Sequence, residues 1–186
     1  QTKTIHIAPI ANEISRTLVE KLRTLANVLS LDPQGFVREF DTKGNMQLKR
    51  WDNLQVLRQI DLYKSSSKEI KVITGIADLE RAMEKIHDYG VKIVVVTRGM
   101  KGSKLLSEGK FFDISHCKPR IVRDPTGAGD VFIGALLAEY VRRKDPVWCA
   151  CVGSASASFV VEEVGPKAFG EREEVYARAN KIYREM

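Results

Sequence analysis

The chain has 186 residues, 44% hydrophobic and 29% charged, which is the composition of a soluble globular protein with room for one cored domain. No run approaches the roughly 18 to 20 apolar residues of a membrane span, and the opening "QTKTIHIAPI" has no secretory pattern. The formal charge is +6 and the pI about 9.2, but the basic residues are scattered among acids, as in "EREEVYARANKIYREM". That points to a solvated surface with local use of charge at a phosphate, and away from nucleic-acid binding.

In chain order, "TIHIAP" (4–9) reads as a strand, "NEISRTLVEKLR" (12–23) as a helix and "NVLSLDP" (27–33) as a strand ending in a turn. Residues 41–53 are polar and weakly patterned, a loop with one strand at most. "QIDLYK" (59–64) is a further strand, and "KIVVVTRG" (92–99) is apolar enough to be buried on both faces. Between them Ile76, Leu79, Met83 and Ile86 share a helical face that stops at Gly90. A strand-helix-strand unit of this kind predicts a parallel sheet in a layered α/β fold. "GSKLLSEGKFFDI" predicts a hairpin turning at Glu108-Gly109. Helices follow at about 129–143, 146–162 and 171–184, and the absence of a linker favours a single domain over 1–186. The three cysteines Cys117, Cys149 and Cys151 lack zinc spacing and read as buried small residues in a reducing, cytoplasmic setting.

The chemistry concentrates in "RIVRDPTGAGDVFIGALLAEYVRRK" (120–144), where Asp124 and Asp130 flank Gly127-Ala128-Gly129 at the mouth of a helix. Unpaired amides and the positive end of the helix dipole lie at such a terminus, and glycines let an anion approach the backbone. Asp130 beside that cradle suits a base for a substrate hydroxyl, and Asp124 suits an orienter of the turn or a cation holder. A β-turn followed by a helix cap would use the same residues. The run is neither GxxxxGK[ST] nor GxGxxG.

The run "DPTGAGDVFIGALLAEYV" resembles the D-T-x-G-A-G-D signature of the ribokinase-like (PfkB) carbohydrate kinases, with Pro125 where the family often has Thr or Ser. "VVVTRGMKGSKLL" is similar to the family's V-T-x-G-x-x-G-[AS], with Thr97, Gly99 and Gly102 matching. "YKSSSKEI" resembles K-x-N-x-x-E, with Lys64 and Glu69 matching and Ser66 replacing Asn. "LSLDPQGFVREF" is similar to a family strand end that places Asp32 towards substrate, with Arg38 beyond it. "CVGSASASFVVEEVGP" looks like the small-residue helix and Gly-ended loop that close over adenine, although helix packing explains Gly153 to Ser156 equally well.

The resemblance implies a three-layer αβα fold with a mainly parallel sheet, here the later two-thirds of the family's length without its sugar-gripping opening part. It implies ATP-dependent phosphorylation of a hydroxyl on a sugar or similar polyol. Asp130 is then the base and Gly127, Ala128 and Gly129 form the anion hole. Lys64, Thr97, Gly99, Gly102, Thr126, Ser156 and Gly165 attend the nucleotide, and Asp32 with Asp130 attends the acceptor. Mg²⁺ lies near Glu69, through water, and near Asp124, with a monovalent cation as a further candidate. ATP and a small polyol are the implied partners, with a homodimer as the candidate assembly and neither nucleic acid nor membrane. Two other readings stay open: a non-catalytic nucleotide-binding or regulatory relative, and a kinase acting on a nucleoside or vitamin alcohol.

Overall fold

The computed structural model describes residues 2–165 and 167–186. They form a six-stranded sheet in the order β1-β2-β5-β6-β7-β8 and a separate ribbon of β3 and β4. The strands are β1 (Thr2–Ile7), β2 (Ala26–Leu31), β3 (Arg38–Phe40), β4 (Met46–Leu48), β5 (Leu62–Ser66), β6 (Ile93–Thr97), β7 (Ser103–Ser107) and β8 (Lys110–Ile114). The helices are α1 (Arg16–Leu25), α2 (Gln34–Val37), α3 (Ser67–Thr74), α4 (Leu79–His87), α5 (Ala128–Tyr140), α6 (Pro146–Val160) and α7 (Arg172–Tyr183). β1 runs parallel to β2, and β2 parallel to β5, as the strand-helix-strand pattern requires. The chain divides into two compact units, residues 1–96 with 106–111 and residues 97–105 with 112–186.

The first unit is cored by the strands and by the inward faces of α1, α3 and α4. Val19 on α1, Ile70 and Ile73 on α3, and Met83 and Ile86 on α4 pack with Leu29, Leu31, Tyr63, Val94 and Val96. Helix α1 starts four residues later than the pattern predicts. The Glu13 carboxylate accepts the amides of Ile10 and Ala11 at 2.8 and 2.7 Å, and Asn12 sits at φ 68°. Residues 10–14 are thereby held as a loop, and Ser15 becomes the cap, its Oγ accepting the Leu18 amide at 3.2 Å. Asp61, just before β5, ties three segments together by accepting from Arg23, from Lys92 at 2.9 Å and from the Leu29 amide at 2.9 Å.

In the second unit α5 and α6 are apolar nearly all round, and α6 is buried over most of its length. They pack so closely that a Cβ on Gly153 would lie 2.8 Å from the Phe132 carbonyl oxygen. The buried Glu139 on α5 accepts from Tyr176 Oη at 2.7 Å, Arg142 at 2.8 Å and Trp148 Nε1 at 3.3 Å, which ties α5 to α6 and α7. Glu108 at φ 51° and Gly109 at φ 72° turn β7 into β8 with two residues, the hairpin foreseen at that pair. Cys149 and Cys151 are free and fully buried, and burial pushes both thiols up to about 12.

Candidate active site

The turn ahead of α5 is built by its own polar groups. Arg123 and Asp124 donate their amides to the Val161 carbonyl at 2.8 and 3.3 Å, fixing the loop to the end of α6. Asp124 Oδ1 accepts the Thr126 amide at 2.9 Å. Hydrogen bonds from Thr126 hold its carboxyl below the usual range, so Asp124 is a charged organiser of the turn. Gly127 caps α5 at φ 80°, a left-handed conformation that glycine adopts without strain, and a Cβ there would meet nothing within 4 Å.

The free amides differ in one position from the expectation. Ala128 N–H is spent on the Pro125 carbonyl at 3.2 Å, which closes a turn. Among the described residues the amides of Gly127, Gly129 and Asp130 have no acceptor, and the first helical bond runs from Val131 N–H to the Gly127 carbonyl at 3.0 Å. The amides left open to an incoming anion at this turn are those of Gly127, Gly129 and Asp130, while that of Ala128 is engaged. Asp130 lies in the first turn of α5 and is exposed, so its carboxylate is open to an incoming molecule.

A cavity of about 460 Å³ opens in the same unit. Thr97, Gly99 and Gly102 line it from the loop after β6, Pro125, Ala128 and Gly129 from the turn, and Phe132 from α5. Gly102 is fixed by contact as well as by conformation. At φ 75° its Cβ would lie 2.1 Å from the Ile114 carbonyl oxygen. The loop is closed by Gly102 N–H on Gly99 O at 3.0 Å and Arg98 N–H on Gly102 O at 2.8 Å. Arg98 at the variable place of the motif pairs with Asp113 at 2.8 Å, and Lys104 joins it at 3.1 Å.

Several expected contacts fall elsewhere. Helix α6 faces the cavity with Ser154, Ala157, Ser158 and Val161, the spacing of one helical face, and Ser156 lies two residues off that face. Gly153 and Ala155 are buried, and the contact of Gly153 with Phe132 makes it a packing residue. Thr126 and Gly165 do not line the cavity; Thr126 is engaged with Asp124, and Gly165 at φ 73° turns the following loop. Pro166 of that loop lies outside the described residues. Residues missed from sequence are His116, Cys117, Pro119 and Val122. They follow β8 in an irregular stretch with no periodicity to place them, whereas the 154/157/158/161 face was present in the spacing.

The remaining candidates belong to the first unit. Lys64 Nζ meets Asp32 Oδ2 at 2.5 Å, with the Asp32 side chain 1% and the Lys64 side chain 8% exposed. Burial raises the Asp32 carboxyl and the Lys64 charge opposes that rise. Asp32 also accepts the Gln34 amide at 3.3 Å. In this structure the Asp32 carboxylate is buried and the Lys64 ammonium is paired with it. Glu69 Oε2 accepts the Ser66 amide at 2.8 Å while Ser66 Oγ accepts the Glu69 amide at 3.3 Å, a complete capping box that starts α3. Ser66, which stands where the family motif has Asn, is therefore the N-cap of α3.

Glu69 is 9% exposed and has one oxygen committed to its cap, and Asp124 has one oxygen committed to Thr126. No group of three His, Cys, Asp or Glu side chains able to hold a metal occurs among the described residues. Either acid, taken by itself, suits a hard cation held mainly by water and substrate phosphates, as Mg²⁺ commonly is, and not a cage built by protein alone.

The pfkB family carbohydrate kinase model matches residues 10–172. The chain belongs to the pfkB family of carbohydrate kinases. It is 32% identical over 166 residues to a cytidine kinase of Thermococcus kodakarensis, covering 88% of this chain and 56% of that protein. It is 29% identical to a nucleoside kinase of Methanocaldococcus jannaschii, covering 88% and 50%. The chain thus spans about half the length of these curated relatives. Its three-layer α/β fold with a mainly parallel sheet matches solved members of the ribokinase family. A pyrophosphate-dependent kinase complexed with a pyrophosphate analog and myo-inositol aligns with TM-score 0.81 and 27% identity, over 95% of this chain and 63% of that one. Arabidopsis thaliana ribokinase complexed with ribose and ATP aligns with TM-score 0.75 and 25% identity, over 95% and 55%. Among the described residues no helix is long and apolar enough to cross a membrane.

Proposed function

We propose that this pfkB-family chain carries the donor site and the base of a kinase that moves the γ-phosphoryl group of ATP to a hydroxyl of a sugar, a polyol or a nucleoside. The observation that carries the reading is the start of α5: amides without acceptors at Gly127, Gly129 and Asp130, with Gly129 lining a cavity and the Asp130 carboxylate exposed. The cavity takes the base and ribose of the donor, with Gly99 and Gly102 allowing close approach. The amides neutralise the charge that builds on the transferring group. Asp130 accepts the proton of the acceptor hydroxyl as its oxygen bonds to phosphorus and the bond to the leaving ADP breaks. Mg²⁺, bound largely through phosphates, would supply further charge neutralisation, with Glu69 and Asp124 as the acids that the family motifs indicate.

Two choices within this reading have specific support. The solved neighbour with a pyrophosphate analog raises a base-free donor. A cavity walled by Phe132, Val122, Val161 and Met100 supports ATP, because pyrophosphate has no apolar plane to place there. The kinases at 32% and 29% identity act on cytidine and nucleosides by their names, which favours a nucleoside acceptor over a free sugar. The test is Asp130→Asn with a panel of cytidine, myo-inositol and ribose against ATP and pyrophosphate. ATP binding should survive and turnover should fall by about 10²- to 10⁴-fold. An unchanged rate removes Asp130 from the mechanism, and ATP binding with no turnover by the unmutated protein favours the regulatory alternative.

A further inference from the structure

A second cavity, of about 580 Å³, lies within the first unit beyond the carboxyl ends of β1 and β2. Ligands of open α/β sheets gather at that edge. Its wall is unusual in charge: Arg16, Arg38, Lys49 and Arg50 face it against only two carboxylates, Glu39 and Asp52. Two of the cations are already matched, Arg16 by Glu20 at 2.8 Å and Lys49 by Glu39 at 3.1 Å. Arg38 and Arg50 have no ion pair or side-chain hydrogen bond among the described residues.

Arg38 is the telling residue. It is half-buried, and its Nε is shut off from solvent without an acceptor. A buried guanidinium donor left unpaired is costly, so a protein keeps one where something else completes it. The position is also held firmly. Arg38 opens β3 opposite Leu48, and Lys49 N–H donates to the Val37 carbonyl at 2.7 Å, which brings the Arg38 and Lys49-Arg50 backbones side by side. The Phe36 and Trp51 rings stack at 4.8 Å and 15° and line the same cavity as the cations.

We propose that this cavity is a binding site for the phosphate group of a small phosphorylated molecule, with Arg38 and Arg50 as its principal donors. Guanidinium forks match phosphate oxygens two at a time, and a doubly charged group balances the excess of cations that the wall carries. A volume of 580 Å³ exceeds what a bare phosphate fills, so the carrier molecule also has space. This proposal does not depend on the kinase reading, because its ligand is read from binding alone.

The experiment is calorimetric titration and thermal melting of the chain with inorganic phosphate, with glycerol 1-phosphate, and with acetate or chloride at matched ionic strength. Phosphate and the phosphomonoester should bind saturably and raise the melting temperature, and acetate and chloride should not. Arg38→Met and Arg50→Ala should each weaken phosphate by about tenfold or more, the usual loss of a charge-assisted contact. Lys21→Ala, which removes one exposed charge elsewhere, should leave binding unchanged. Without phosphate, Arg38→Met should melt no lower than the unmutated protein, because an unpaired cation has been removed. Arg50 is exposed, so its variant keeps the test sound if Arg38→Met folds poorly. No saturable binding, or an equal loss in Lys21→Ala, would overturn the site.

Discussion

Lys64 and Asp32 show how a family motif can mark a structural role. The pair is nearly sealed from water, and each charge is tolerable only because the other is there. Lys64→Met leaves Asp32 buried and unmatched and should destabilise the protein by about 3–5 kcal/mol, as breaking one side of a buried pair does. The double variant Lys64→Met with Asp32→Leu should recover much of that loss, and urea unfolding of the three proteins checks it. Were Lys64 a nucleotide contact alone, the single variant would change ATP affinity and leave the unfolding midpoint in place. Sequence put both residues in family-like motifs but could not show that they meet, because Asp32 follows β2 and Lys64 lies on β5, 32 positions away. Gly102 was legible for a related reason only in part. Its motif was visible, and the 2.1 Å approach that forbids a side chain was not.

At the scale of elements, local chemistry was the readable layer. The N-terminal signature Ser66-x-x-Glu69 and the stop at Gly75 (φ 70°) bound α3 completely. Helix α3 nevertheless escaped the periodic pattern because eight residues are too few for it. The late start of α1 was hidden for a different reason, since Glu13 caps a loop that precedes the helix. The ribbon β3–β4 carries Phe40, Met46 and Leu48 on one face, but three residues in each strand are too few for an alternation to announce it. The capping box yields a prediction that separates structure from catalysis at one position. Ser66→Ala should cost about 1 kcal/mol of stability, whereas Ser66→Asn should be nearly neutral, because asparagine caps as well as serine. If the side chain at 66 also attends phosphate or metal-bound water, Ser66→Asn alters the Mg²⁺ dependence of turnover at unchanged stability. Chemical unfolding beside Mg²⁺ titrations of the rate distinguishes the two.

For the molecule as a whole, acids whose carboxyls are held low are spread over both units, and they set its response to pH. Burial works to raise Asp61, Asp113, Glu139 and Glu162, but their bonds to cations and donors outweigh it and leave all four lowered. A carboxyl lowered by folding stabilises the native state above its unfolded value, 3.8 for Asp and 4.5 for Glu, and loses that contribution as the pH falls through its folded value. Asp32 acts in the opposite sense, because burial raises it and its ionised form is the costly one. These four, with Glu13, Asp41 and Asp124 lowered as well, stand against one raised carboxyl and predict a urea midpoint that holds from neutral pH to about 5 and drops steeply below the ordinary carboxylate range. Glu139 offers the sharpest test because it is 3% exposed and joins three helices through Tyr176, Trp148 and Arg142. Glu139→Gln keeps the shape, loses the charge and should cost about 1.5–3 kcal/mol at pH 7, the range for hydrogen bonds to a charged group. As the pH falls below the ordinary glutamate value of 4.5 and on through the lowered folded value, the charge is lost, so the gap between the two proteins should narrow. A gap that stays constant from pH 7 to pH 3 would mean that Glu139 contributes packing and not charge.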